Sequence, residues 1–249
     1  MFNHMFVSDR RRRTEMEESM KTYSRDVLAS YIDHAVLDPS MTLEQLKKNI
    51  MVGVHYGCKS VCVNPDAIAL AKECLAHSDT KLCVVCDFPF GSSHTQSKLA
   101  QCDSILQQGD IFEIDMVMNY GLLKSGEYEK VIDEIQQMSD LCHQYHAGLK
   151  VIVETDALTK KEICEAVRCC IAGHADFIKT STGYFKGQQV GASPEVIALI
   201  VKEAQGKIKV KGSGCVRSQE RLKELIELGI DRAGVGCGST AQILGEEDE

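Results

Sequence analysis

The stretch FEIDMVMN, residues 112–119, alternates between two kinds of side chain. Ile114, Met116 and Met118 take one parity; Glu113, Asp115 and Val117 take the other. Successive side chains of a strand point to opposite faces, so the segment has one apolar face and one face carrying carboxylates. Such an apolar face needs a covering layer, and the helical patterns that flank the segment can supply it.

Seven further β-rich runs recur along the chain: YIDHAVL (31–37), KSVCVN (59–64), KLCVVCDF (81–88), LKVIVET (149–155), DFIKTST (176–182), KIKVKGSG (207–214) and DRAGVGC (231–237). Between them lie amphipathic stretches with helix punctuation. Thr42 and Gln45 make a capping-box pattern ahead of a helix that Gly57 would stop. Pro65 and Asp66 suit a helix start. GEYEKVIDEIQQMSDLCHQYH places Val131, Ile135, Met138 and Leu141 or Cys142 on one face. Ser218 precedes a helix whose Leu222, Leu225 and Ile226 form a stripe ending at Gly229.

Eight strands alternating with helices in 249 residues predict an α/β fold, a closed (β/α)8 TIM barrel. An open doubly wound sheet is the weaker reading. No G-x-G-x-x-G follows the first strand, and no G-x-x-x-x-G-K-[ST] occurs. With no Pro/Gly-rich linker and no internal repeat, residues 25–249 are expected to form one domain behind a flexible leader, residues 1–24. That leader carries Arg10 to Arg13 but lacks the apolar core of a signal peptide, so a cytoplasmic protein is expected. No apolar run reaches the roughly 18–20 residues of a membrane span. The formal net charge of −8 disfavours a nucleic-acid partner. Twelve cysteines lack zinc-type spacing: Cys83 and Cys86 fall on opposite faces of a strand, and Cys169 and Cys170 diverge on a helix. Reduced thiols and no bound metal are expected.

In a barrel one parity of each strand meets the helices and the other fills the interior. Ile208 and Val210 suit the helix layer, which sends Lys209 and Lys211 inward. The parity of residues 176–182 permits an inward Lys179. Asp115, Lys179 and Lys211 would then converge near the carboxyl ends of their strands, where barrels of this kind keep their chemistry. Glu113 and Lys209, one layer deeper, are expected to neutralise each other or a neighbour such as Lys150. Two inward lysines against one acid push a lysine toward its free-amine form. A free amine attacks carbonyls to give an imine, and Asp115 could move the protons. This set needs neither metal nor cofactor.

The segments YIDHAVLDPSMT, FEIDMVMNYG, LKVIVET, ADFIKTSTGY and KGSGCVRS together closely resemble the deoxyribose-phosphate aldolase family, in order from about Tyr31 to Cys237. The resemblance implies a class I aldolase that reversibly cleaves 2-deoxy-D-ribose 5-phosphate to D-glyceraldehyde 3-phosphate and acetaldehyde. It also implies small-molecule sugar phosphate and aldehyde substrates, and a homodimer in preference to a monomer. By similarity Lys179 forms the imine, Lys211 perturbs it and aids proton transfer, and Asp115 shuttles protons. Asp33 and Cys62 match positions lining the pocket.

The phosphate end departs from the family pattern. Thr182, Gly183, Gly214, Gly234 and Gly236 are the candidate contacts there. The family has a glycine where Cys215 stands, serines after the strand-eight glycine where Gly236 and Cys237 stand, and in many members a lysine at Tyr184. A weakened grip on phosphate is expected. Two other readings follow from these departures: a lysine aldolase with a different or poorly phosphate-selective substrate, and a degenerate barrel kept as a binding scaffold.

Overall fold

Eight parallel strands close on themselves in chain order: β1 (Ile32–Val36), β2 (Ser60–Val63), β3 (Lys81–Cys86), β4 (Glu113–Val117), β5 (Gly148–Ile152), β6 (Phe177–Lys179), β7 (Lys209–Ser213) and β8 (Arg232–Gly236), with β8 pairing β1. This computed structural model describes residues 23–245. The expected leader, residues 1–24, lies outside the described residues apart from Tyr23 and Ser24.

Ten helices among the described residues wrap the strands: α1 (Arg25–Ser30), α2 (Leu43–His55), α3 (Ile68–Leu75), α4 (Thr95–Leu106), α5 (Tyr120–Lys124), α6 (Tyr128–Gln144), α7 (Lys160–Ala172), α8 (Pro194–Ala204), α9 (Gln219–Glu227) and α10 (Cys237–Leu244). Their ends follow the local chemistry. Thr42 and Gln45 form the expected capping box on α2, and Thr159 with Glu162 forms another on α7. Pro65 opens a short 3-10 turn that leads into α3, and Ser218 caps α9 through the Arg221 amide. None of these helices is long and apolar enough to cross a membrane.

The apolar core is the shell between barrel and helices. Ile114, Met116 and Met118 from the β4 segment pack there with Val131, Ile135 and Met138 of α6, all fully buried. Burying each such side chain contributes about 1.5–3 kcal/mol. The barrel interior is different. Its apolar cluster is small, built on Leu37, Cys62, Cys83 and Val85. The rest is ionic: Lys150, Lys179, Lys211 and Arg232 lie buried with Asp33, Glu113 and Asp115.

One expectation for this layer fails. Glu113 is inward as expected and pairs with Lys150 at 2.5 Å. Lys209 does not pair with Glu113, whose partners are Lys150 and Arg232. It begins β7 at the open amino-terminal rim, exposed, with its ammonium 5.2 Å from the centre of the Phe177 ring. Arg232 takes the place expected for it, 3.2 Å from Glu113.

Candidate active site

Register brings the two lysines together. Lys179 on β6 pairs with Lys211 on β7, and both ammonium groups donate to Asp115 Oδ2, at 2.6 and 2.7 Å. Asp115 reaches them from β4 across the barrel, while its other oxygen accepts from Lys150 at 3.0 Å and from the Cys83 thiol at 3.2 Å. Burial alone would raise this carboxyl. The ammonium groups of Lys150, Lys179 and Lys211 outweigh burial and hold it well below the ordinary carboxylate range.

A second tier braces the first. Asp33 sits 2.6 Å from Lys211, 2.6 Å from Arg232 and 3.4 Å from Lys150, and accepts the Ser60 hydroxyl at 2.6 Å. Burial opposes the charge on Lys211, but Asp115 and Asp33 prevail and raise its pKa above that of an ordinary lysine. Lys150 is raised in the same way by Asp115, Asp33 and Glu113. The expectation of two lysines against one acid is therefore corrected. Among the described residues, four buried cations face three carboxylates, and Asp115 and Asp33 favour the charged form of Lys211. Gly234 is required here, because a Cβ on it would lie 2.7 Å from Ser213 Cβ and 3.3 Å from Lys211 Cε.

Above these charges a cavity of about 370 Å³ opens at the carboxyl ends of the strands. Lys179, Lys211, Cys62, Thr182, Gly183, Gly214, Gly234 and Gly236 all line it. Asp33 does not: it is fully buried beneath Lys211, so its expected place on the cavity wall is corrected to a support below the floor. Asp115 likewise lies off the cavity wall and contacts Lys179 and Lys211. Cys215 does line the wall and takes a left-handed backbone, φ 59°, beside Gly214 at φ 82°. Tyr184 leans over the mouth, donating its hydroxyl to Leu37 O at 3.2 Å and meeting Phe88 edge-on at 5.4 Å.

Sequence reading missed Arg217, which lines the same cavity just ahead of α9, and it left Arg232 unread. Arg232 shares its parity with Gly234 and Gly236, so strand alternation could have found it. For Arg217 the signal was its place in the loop after β7, where barrels of this architecture often bind phosphate. Among the described residues, Cys62, Cys83 and Asp115 place three possible metal-ligand atoms within 4.8 Å of one another. Asp115 is already engaged by three ammonium groups, so a dication would have to displace them.

A family model described as DeoC/LacD family aldolase matches residues 27–240. The deoxyribose-phosphate aldolase of Mycoplasmopsis pulmonis is 40% identical over 221 residues, covering 89% of this chain and 97% of that one. That of Treponema denticola is 40% identical over 211 residues, covering 85% and 96%. Among solved structures, the tetrameric deoxyribose phosphate aldolase of Aeropyrum pernix superposes with a TM-score of 0.78 at 28% identity, covering 89% of this chain and 91% of that one. A closed parallel barrel with a lysine pair over its ionic floor thus meets a family match over most of its length, and the chain belongs to the DeoC/LacD aldolase family.

Proposed function

We propose that this protein is a class I aldolase that reversibly cleaves 2-deoxy-D-ribose 5-phosphate to D-glyceraldehyde 3-phosphate and acetaldehyde. The observation that carries the reading is the shared oxygen: Lys179 lines the cavity and its Nζ meets Lys211 Nζ across Asp115 Oδ2. Lys179 gives up a proton and attacks the substrate aldehyde carbon; water leaves and a protonated imine forms. Loss of the C3 hydroxyl proton then breaks the C2–C3 bond, and the electron pair flows into the imine to leave an enamine. D-Glyceraldehyde 3-phosphate departs. Protonation of the enamine at C2 and hydrolysis release acetaldehyde and restore the amine.

Asp115, a weak base among three ammonium groups, passes protons on rather than storing them. Lys211 keeps its charge beside Lys179 throughout, and Asp33 and Lys150 hold these groups in place. The phosphate fits the loops after β7 and β8. There α10 starts at Gly236 with no side chain capping its amides, and Arg217 adds a guanidinium. Cys215 and Cys237 occupy the same wall, which supports a weakened phosphate preference. The scaffold reading is not carried further, given the match to an enzyme family and the complete lysine–aspartate set. Family resemblance supports a cytoplasmic homodimer; light scattering that returned a monomer mass would remove the dimer.

The test combines turnover and trapping. Incubation with acetaldehyde and borohydride should add an ethyl group to the peptide carrying Lys179, and Lys179→Arg should abolish both label and cleavage of 2-deoxy-D-ribose 5-phosphate. Labelling elsewhere, or none, would defeat the proposal.

A further inference from the structure

Glu154 follows β5 and adopts the left-handed backbone, φ 56° and ψ 66°, that residues with a side chain rarely take. It is 2% exposed. Its carboxylate accepts the Thr182 amide at 3.4 Å on each oxygen and also accepts the Thr182 hydroxyl. Thr182 lines the cavity three residues after Lys179. Its Oγ1 also accepts the Tyr184 amide at 3.0 Å. A hydroxyl has one proton and two lone pairs. On Thr182 the proton goes to Glu154 and one lone pair to Tyr184, which leaves a single uncommitted lone pair on this cavity-lining side chain.

We propose that Glu154 is a positioning residue that sets specificity: it turns the Thr182 hydroxyl into an acceptor-only group, which selects aldehydes bearing a hydroxyl donor. A hydroxylated aldehyde satisfies the free lone pair. A plain alkyl aldehyde leaves that lone pair unpaired, and a carbonyl placed there opposes it. Ser213 on the same wall is committed in the same way, its proton given to Ser181 O at 2.7 Å. This inference rests on the aldolase reading.

The experiment measures aldol addition of acetaldehyde to D-glyceraldehyde and to propanal, with KM and kcat for each acceptor. In Glu154→Gln the new amide donates to Thr182 Oγ1 and turns its proton toward the cavity. The preference for glyceraldehyde over propanal should fall about tenfold, with the loss in the KM of the hydroxylated acceptor. Thr182→Ser should retain the preference and Thr182→Val should lose it, a reading that stands whether or not Glu154→Gln folds. The double variant Glu154→Gln/Thr182→Val should be no worse in preference than Thr182→Val alone. Equal loss toward both acceptors would reduce Glu154 to a structural brace, and an unchanged preference would overturn the proposal outright. Failure of wild-type Lys179 to label with acetaldehyde and borohydride would instead sink the aldolase reading beneath it.

Discussion

Lys179 and Lys211 stand as register partners on adjacent strands, and their ammonium nitrogens share one carboxylate oxygen, Asp115 Oδ2, at 2.6 and 2.7 Å. Neither lysine can change charge without the other sensing it through that oxygen. The carboxylate is thus the electrostatic anchor of the pair.

Asp115→Asn keeps the shape but removes the charge that three ammonium groups share. Loss of proton transfer should lower kcat roughly 10²–10⁴-fold. Stability should fall by about 3–5 kcal/mol, because buried cations lose their counter-charge. Steady-state kinetics and denaturant titration check both; a kcat within tenfold of wild type would contradict the role given to Asp115.

Lys150 and Lys209 should separate cleanly. Lys150 is fully buried between Glu113, Asp115 and Asp33, so Lys150→Met leaves three carboxylates with one cation fewer and should cost about 3–5 kcal/mol. Lys209 is exposed at the rim, and Lys209→Met should change stability by no more than about 0.5 kcal/mol. Urea midpoints of the two variants measure the contrast.

The wall proposed to hold the phosphate gives a matched pair of expectations. Cys215→Gly removes a side chain from a left-handed position, φ 59°, and should stabilise the fold by about 1 kcal/mol while lowering KM for the phosphorylated sugar. Arg217→Ala should raise that KM roughly 10–100-fold and leave unphosphorylated 2-deoxyribose nearly untouched. Parallel kinetics on the two sugars decide it, and equal effects on both would remove Arg217 from the phosphate site.

His34 couples the fold to pH. Its ring is buried on the helix side of β1, with Nε2 2.8 Å from Asn49 O and Nδ1 2.8 Å from the Thr240 hydroxyl. Donation from Nε2 to the carbonyl leaves Nδ1 to accept from Thr240, an arrangement that requires the neutral ring. Burial lowers its pKa to about 4, against about 6.5 when unfolded. A depressed pKa contributes nothing adverse above the unfolded value and costs stability as pH falls from about 6.5 through about 4, amounting to about 3 kcal/mol. Melting curves between pH 7 and pH 4 should show this loss, with a shallower slope in His34→Gln; identical slopes would exclude His34 as the cause.

Much of this site was legible because strand alternation is local. The parity of residues 112–119 sends Asp115 inward, and Ile208 with Val210 sends Lys211 inward. The same rule applied to LKVIVET puts Lys150 inside, and applied to DRAGVGC it puts Arg232 there. The expectation set two lysines against one acid at the mouth and Glu113 with Lys209 or Lys150 one layer deeper; it missed Arg232, because the rule was not carried through the last strand. Lys209 obeyed parity and still escaped the interior, since it lies at the strand's first residue, where the barrel opens to water.

The amino-acid sequence alone determined the strands, the helix ends and the face each side chain takes, since periodicity and capping act over a few residues. Pairing was decided only by the closed barrel. Asp115 meets Lys179 and Lys211 from 64 and 96 residues away, and Asp33 meets Arg232 across 199. The stagger of strands around a barrel sets which inward groups share a layer, and stagger is a property of closure that no short segment encodes.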